Sequence, residues 1–221
     1  MSTAMITDIH SHNSRILSHN SGNSILSFCY KDKDSANFKN AQLISVGIHP
    51  WYINEHDIDL QIEWIKKELK ERKRVVAIGE CGIDRICGTP IELQEKAFQE
   101  MINISETEKL PIIIHCVKAY NEIIRYKNKT KTSIPWIIHG FRGKKEMAEQ
   151  LIRHGFYISV GEKYQADIFS VIPADRLLTE TDESSKDIDS IIKSVADIMQ
   201  ISDNKLKRII SDNTNFLFFN R

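Results

Sequence analysis

Histidine and carboxylate side chains fall at the ends of short apolar runs at five places along the chain. The first is "TDIHSH", where His10 and His12 stand one residue apart after an apolar opening. Side chains alternate faces along a strand, so both imidazoles point one way, with Ile6 and Asp8 behind them. Two neighbouring imidazoles can hold a divalent cation, although one such pair equally suits a polar strand end. Glu80 closes "VVAIGE", His115 follows "PIII", His139 follows "PWII", and Asp182 closes "LLTETD". A buried imidazole or carboxylate without a partner is costly. Six such groups at corresponding strand ends account for one another if two cations sit among them.

The elements that must carry these groups are legible in the hydrophobic pattern. Strand candidates are Ala4–His10, Ser24–Tyr30, Leu43–Ile48, Val75–Glu80, Pro111–Cys116, Ile134–His139, Phe156–Val160 and Arg176–Asp182. Runs such as "VVAIGE" and "PIIIHC" are too apolar for one-sided burial and predict parallel strands covered on both faces. Helical stripes lie between them: Ile58, Ile62, Ile65 and Leu69; Leu93, Ala97, Met101 and Ile104; Met147 and Leu151, stopping at Gly155; and Ile188 through Met199. Leu206, Ile209 and Ile210 predict one last short helix.

Eight strands alternating with helices predict a (β/α)8 TIM-type barrel, with an open doubly wound sheet as the competing arrangement. In a barrel the C-terminal strand ends form one rim, where catalytic groups from separate strands meet. The spread of the histidines over first and late strands favours the barrel. Residues 13–23 are polar and lack a helical period, and 31–42 are little better, so the first outer helices are expected to be reduced or missing. No repeat, low-complexity tract or linker divides the chain, which predicts a single domain over residues 1–221.

Lys plus Arg total 30 and Asp plus Glu total 30, so no global field draws in nucleic acid or an anionic membrane. A local basic patch remains compatible with that balance. Cys29, Cys81, Cys87 and Cys116 form no C-x-x-C pair, and no secretory pattern precedes them. They read as small core hydrophobes of a cytoplasmic protein. No apolar run approaches the roughly 20 residues of a membrane span.

In order, "TDIHSH", "GIHPW", "AIGECGID", "LPIIIHC", "IIHGFRG" and "LLTETD" resemble the motifs of the TatD-type metal-dependent hydrolases of the amidohydrolase-like superfamily. The tail "LKRIISDNTNFLF" resembles that family's end, so the likeness runs from Thr7 to about Phe218. By position, it implies a centre of two divalent ions, Zn, Mn or Mg. His10, His12 and Asp182 would hold one ion, His115 and His139 the other, and Glu80 would bridge. It also implies a deoxyribonuclease acting on DNA ends or single strands, with no membrane role and with protein partners unknown. Two such cations lower the pKa of a shared water and clamp phosphate oxygens. Asp182 would also orient that water.

Other groups follow from their positions. His49 in "GIHPW" matches a family histidine and reads as a substrate or leaving-group contact, or as a polar loop residue before Pro50. Asp8 could orient a histidine. Lys118 and Arg142 could bind phosphate. Trp51 and Tyr52 could stack a base or cover the barrel rim. The chain departs from the family pattern at Gly140-Phe141-Arg142-Gly143, at Glu183-Ser184-Ser185 after Asp182, and in carrying its basic residue at Lys118. These positions line the expected substrate groove rather than the ligands. Amide or ester hydrolysis uses the same activated water and is the alternative reaction. A non-catalytic binding subunit is the third reading.

Overall fold

A computed structural model describes residues 5–12, 24–71 and 74–220. Its eight strands are β1 (Asp8–Ser11), β2 (Ser24–Phe28), β3 (Ile44–Val46), β4 (Val75–Asp84), β5 (Ile112–Val117), β6 (Trp136–Ile138), β7 (Tyr157–Val160) and β8 (Leu177–Thr179). They follow one another in chain order in a single sheet. The first strand also meets the last. His12 N–H donates to Asp182 O at 3.1 Å and Asp182 N–H to His10 O at 2.9 Å. An open doubly wound sheet has no pairing of first strand with last, so the fold is a TIM-type (β/α)8 barrel.

The helices are α1 (Ala36–Asn40), α2 (Ile58–Lys70), α3 (Ile91–Glu108), α4 (Tyr120–Thr130), α5 (Lys145–Arg153), α6 (Ile188–Met199) and α7 (Asp203–Phe218). The expected shortening of the early outer helices is seen in α1, a five-residue helix between β2 and β3. Residues 13–23 lie outside the described residues. The β7–β8 connection is also shortened, to two 3-10 turns, Ala166–Ser170 and Ala174–Arg176. The chain divides into two compact units, Met1–Leu26 with Ile138–Arg221, and Ser27–Ile137.

In the first unit, β1 runs parallel to β2 and β7 to β8. Asp8 ties β1 to the segment that follows β8. One carboxylate oxygen accepts from Thr181 N–H (3.0 Å), the other from Thr181 Oγ1 (2.8 Å) and Ser24 Oγ (3.2 Å). Burial pushes the Asp8 carboxyl up to about 7, against the lowering effect of those donors. The role considered for Asp8, orienting a histidine, gives way to a structural one. Helix α6 starts at Asp187, whose side chain caps Ser190 N–H, and α7 at Ser202, which caps Lys205 N–H. The last helix runs well past Ile210 because Ser211 and Thr214 are buried with Leu217 and Phe218. Small polar residues on the inner face hide that extension from apolar counting.

In the second unit, β3, β4 and β5 are parallel neighbours. Helix α2 buries Ile58, Ile62, Ile65 and Leu69, the expected stripe, together with Gln61 and Trp64. Helix α4 has no sequence-based counterpart, since only Ile123 and Ile124 are buried in its eleven residues. Two adjacent apolar residues make no period. Strand β4 continues four residues beyond its expected end at Glu80, through Cys81-Gly82-Ile83-Asp84. Glycine is a poor strand former, but Gly82 has φ +148 and pairs with His115, and a Cβ there would lie 2.0 Å from His115 O. Only glycine lets the two backbones approach so closely.

All four cysteines are free, with Cys29 and Cys81 buried and Cys87 and Cys116 partly exposed. Among the described residues, no helix is long and apolar enough to cross a membrane.

Gly82→Ala is expected to cost about 3 kcal/mol or more in urea unfolding, because the new methyl group must displace backbone. Gly155→Ala, at φ +77 but with nothing within 4 Å of the added carbon, should cost only about 1–2 kcal/mol.

Candidate metal centre

Each compact unit carries its own cluster of imidazoles and carboxylates. In the first, His10 lies on β1 and His12 directly after its end, two residues on, so both rings turn the same way. Their rings stand edge to face with centroids 4.9 Å apart, and the His139 ring lies 4.4 Å from that of His10. Asp182 reaches both β1 histidines. Its Oδ1 is 3.8 Å from His10 Nε2 and 4.0 Å from His12 Nε2. His10, His12 and Asp182 offer three ligand atoms within 4.8 Å of one another, and His139, Glu180 and Asp182 offer a second such trio. Asp182 belongs to both. Its backbone has φ 52, a left-handed conformation that aspartate adopts more readily than most residues.

Glu180 lies two residues before Asp182 and is fully buried. Its Oε1 accepts from Gly140 N–H at 2.6 Å and faces His139 Nδ1 at 3.3 Å. Burial alone would raise its pKa, but the His139 charge and hydrogen bond, with His10 nearby, more than offset that and hold it below the usual carboxylate range. A proton held on His139 Nδ1 by Glu180 leaves Nε2 as the lone-pair donor.

The second cluster is built on β3, β4 and β5. Glu80, Gly82 and Asp84 share one parity along β4, and His115 is paired with Gly82 between the two carboxylates. Its ring spans them, with Nδ1 2.7 Å from Glu80 Oε1 and Nε2 3.0 Å from Asp84 Oδ2. His49 completes the group. Its Nδ1 accepts from Trp51 N–H at 3.1 Å, which places the ring proton on Nε2, 3.2 Å from Glu80 Oε1. Glu80 thus receives two imidazoles on one oxygen. Asp84 Oδ2 also accepts from the Trp51 indole N–H at 2.7 Å, and Oδ1 from Ile86 N–H at 2.9 Å. Burial raises the Asp84 pKa, but the Trp51, Ile86 and His115 contacts together leave it lowered.

These donor sets suit a divalent ion. His49, Glu80 and His115 likewise offer atoms within 4.8 Å of one another. Mixed imidazole and carboxylate ligands favour Zn, Mn and similar ions over an all-oxygen cage, with bonds of about 2.0–2.2 Å drawing the atoms inward. Each cluster also has a carboxylate placed to orient a ring from behind, Glu180 on His139 and Asp84 on His115.

Of the sequence-predicted residues, His10, His12, His139 and Asp182 gather in the first unit, and His49, Glu80 and His115 in the second. Lys118, at φ 53 in the turn after β5, and Arg142 after His139 are exposed. Glu180 and Asp84 were not anticipated. The signal was present in both cases, as a second carboxylate two residues before Asp182 and four after Glu80, on the same strand parity.

A model of the family described as TatD related DNase matches residues 21–219. The chain belongs to this family. It is similar to "Uncharacterized metal-dependent hydrolase YabD" of Bacillus subtilis, 33% identical over 148 residues, which cover 62% of this chain and 57% of that one. It is similar also to "3'-5' ssDNA/RNA exonuclease TatD" of Cronobacter turicensis, 34% identical over 153 residues, covering 62% and 56%. The chain thus spans rather more than half the length of these curated relatives. Among solved structures, YjjV, a TatD homologue of Escherichia coli, superposes with a TM-score of 0.82 at 20% identity, covering 98% of both chains. At that identity the likeness concerns the fold. The family match begins after His10 and His12, so the β1 pair stands on its own geometry with Asp182.

Glu180→Gln and Asp84→Asn each keep side-chain shape while removing the charge behind a ring. Each is expected to weaken Zn or Mn binding about 10- to 100-fold in calorimetric titration of chelator-stripped protein, with Lys118→Ala as an unchanged reference.

Proposed function

We propose that the chain is a metal-dependent phosphodiesterase, a deoxyribonuclease acting on single-stranded DNA or DNA ends in the cytoplasm, with residues 1–221 forming one catalytic domain. The observation that carries this reading is the pair of N/O donor clusters in a chain of the TatD family. The relative named 3'-5' ssDNA/RNA exonuclease points to the same substrate class. The four free thiols support a reducing compartment.

His10, His12 and Asp182 would hold one divalent ion, and His115 with Glu80 a second, His139 serving as a further ligand. Two such cations supply charge relief on the phosphoryl oxygens and an attacking water of lowered pKa. The remaining work belongs to side chains of this protein. Asp182 orients the water and accepts its proton. His49 carries its proton on Nε2, so it is placed to donate to the leaving oxygen. Glu180 and Asp84 keep His139 and His115 from rotating. Lys118 and Arg142, exposed beside β5 and His139, meet the substrate phosphates.

Purified protein should cut single-stranded oligonucleotides with added Mg or Mn and stop with chelator. Glu80→Ala and His115→Ala should each lower kcat by at least about 100-fold, while His49→Ala should lower kcat with ion content unchanged. Cleavage surviving in the first two variants assigns the activity to another site or protein. Turnover of amides or esters with none of oligonucleotides would move the reaction to that class. Metal content of Glu80→Ala reads its role directly: loss of both ions makes it the bridge, loss of one confines it to the second cluster.

A further inference from the structure

A cavity of about 580 Å³ opens beside the second cluster, lined by Trp51, Ile53, Asp84, Ile86, Cys87, Gly88, Thr89 and Pro90. Its size falls in the range of small-molecule sites. Several polar groups on its lining are already engaged. Thr89 Oγ1 donates to Pro50 O at 2.7 Å, Cys87 Sγ lies 3.3 Å from Asp84 O, and both Asp84 oxygens have donors. Recognition there falls to the apolar faces of Trp51, Ile53, Ile86 and Pro90.

Trp51 is the feature that needs a ligand. Its side chain is pinned at one edge by the Asp84 bond and stands edge to face against His49, centroids 5.2 Å apart. Yet Trp51 is 56% exposed, as Ile86 is 66% exposed. A residue that merely covered the rim would bury its ring, since burial is what stabilises an indole in a fold. Holding it fixed and exposed instead orders a flat surface in advance of an occupant. Tyr52, which also packs on His49 with centroids 5.3 Å apart, is 41% exposed and carries the Lys31 ammonium 3.4 Å above its ring. A fixed, exposed indole face beside the cluster matches one base of a single strand stacked on it.

The geometry points to a nucleobase-stacking subsite in this cavity, with Trp51 as its platform, that seats one unpaired base of the strand being cut. It deepens the nuclease reading and rests on it. Because stacking uses only the π-face that every base has, the subsite tolerates any unpaired base.

The test uses the full chain in two measurements. Trp64 and Trp136 are buried, so quenching of tryptophan emission reports mainly on Trp51. Deoxyadenosine monophosphate should quench saturably and ribose 5-phosphate should not. In steady-state cleavage of a single-stranded oligonucleotide, Trp51→Ala should raise KM about 10-fold or more with a smaller change in kcat, and Trp51→Phe should restore most of it. One abasic residue at the matching position should cost the wild type the same factor and Trp51→Ala nothing further. Equal quenching by ribose 5-phosphate overturns the subsite, as does an unchanged KM in Trp51→Ala. A Trp51→Phe variant as impaired as Trp51→Ala also overturns it, because the indole would then serve only to hold Asp84. Nucleotide quenching without cleavage of any oligonucleotide supports the subsite while the nuclease reading fails.

Discussion

The His115 imidazole is held at both nitrogens by carboxylates four residues apart on the neighbouring strand, and much of the second unit follows from accommodating that contact. Glu80 and Asp84 can flank one ring only if β4 stays extended past Glu80 and keeps both side chains on one face. The residue between them must then lie against the β5 backbone with no side chain in the way. Gly82 meets that requirement at the expense of strand propensity. A buried carboxylate is costly unless hydrogen-bonded donors surround it, and here Trp51, Ile86, His49 and His115 supply them. The result is a group of charges whose positions are set before any ion arrives.

The first unit solves the same problem differently. Its candidate ligands come from the end of strand β1 and from the chain just beyond β8, held together by backbone bonds between His10, His12 and Asp182. Asp8 and Thr181 add a side-chain lock directly behind those residues. Thr181 donates from both backbone and hydroxyl, so Asp8 fixes the conformation of the turn that presents Asp182. Glu180 then orders His139 from within the core. In both units a carboxylate also stands against a candidate ligand ring, Glu180 on His139 and Asp84 on His115. This arrangement fixes ring tautomers and raises ligand basicity.

How much of this was legible varied with the range of the contacts. The eight strands could be read as apolar runs, and their alternation with helices pointed to the barrel. Helix α4 escaped because its buried face is two residues wide, and the end of α7 because its buried residues include Ser211 and Thr214. Strand β4 read as ending at Glu80, since Cys81-Gly82 interrupts the apolar pattern. That misreading of the strand end also concealed Asp84, which otherwise sits in plain alternation with Glu80. The bonds from Thr181 and Ser24 to Asp8 were not legible, because its parity with the histidines pointed to them instead.

Residue types and their periodicity were enough to establish the class of fold, the set of imidazoles and carboxylates at strand ends, and the chemistry such groups favour. These are local properties, written in stretches of a few residues. Tertiary structure alone decided which nitrogen of each ring faces which oxygen, that Glu180 and Asp84 stand behind His139 and His115, and that Trp51 is pinned with its face exposed. Those outcomes depend on register between strands whose contacting residues lie 31 to 41 positions apart, as with His115 and Asp84 at 31 and His139 and Glu180 at 41. A one-residue slip would turn every such side chain to the opposite face, so no short stretch of sequence contains the answer.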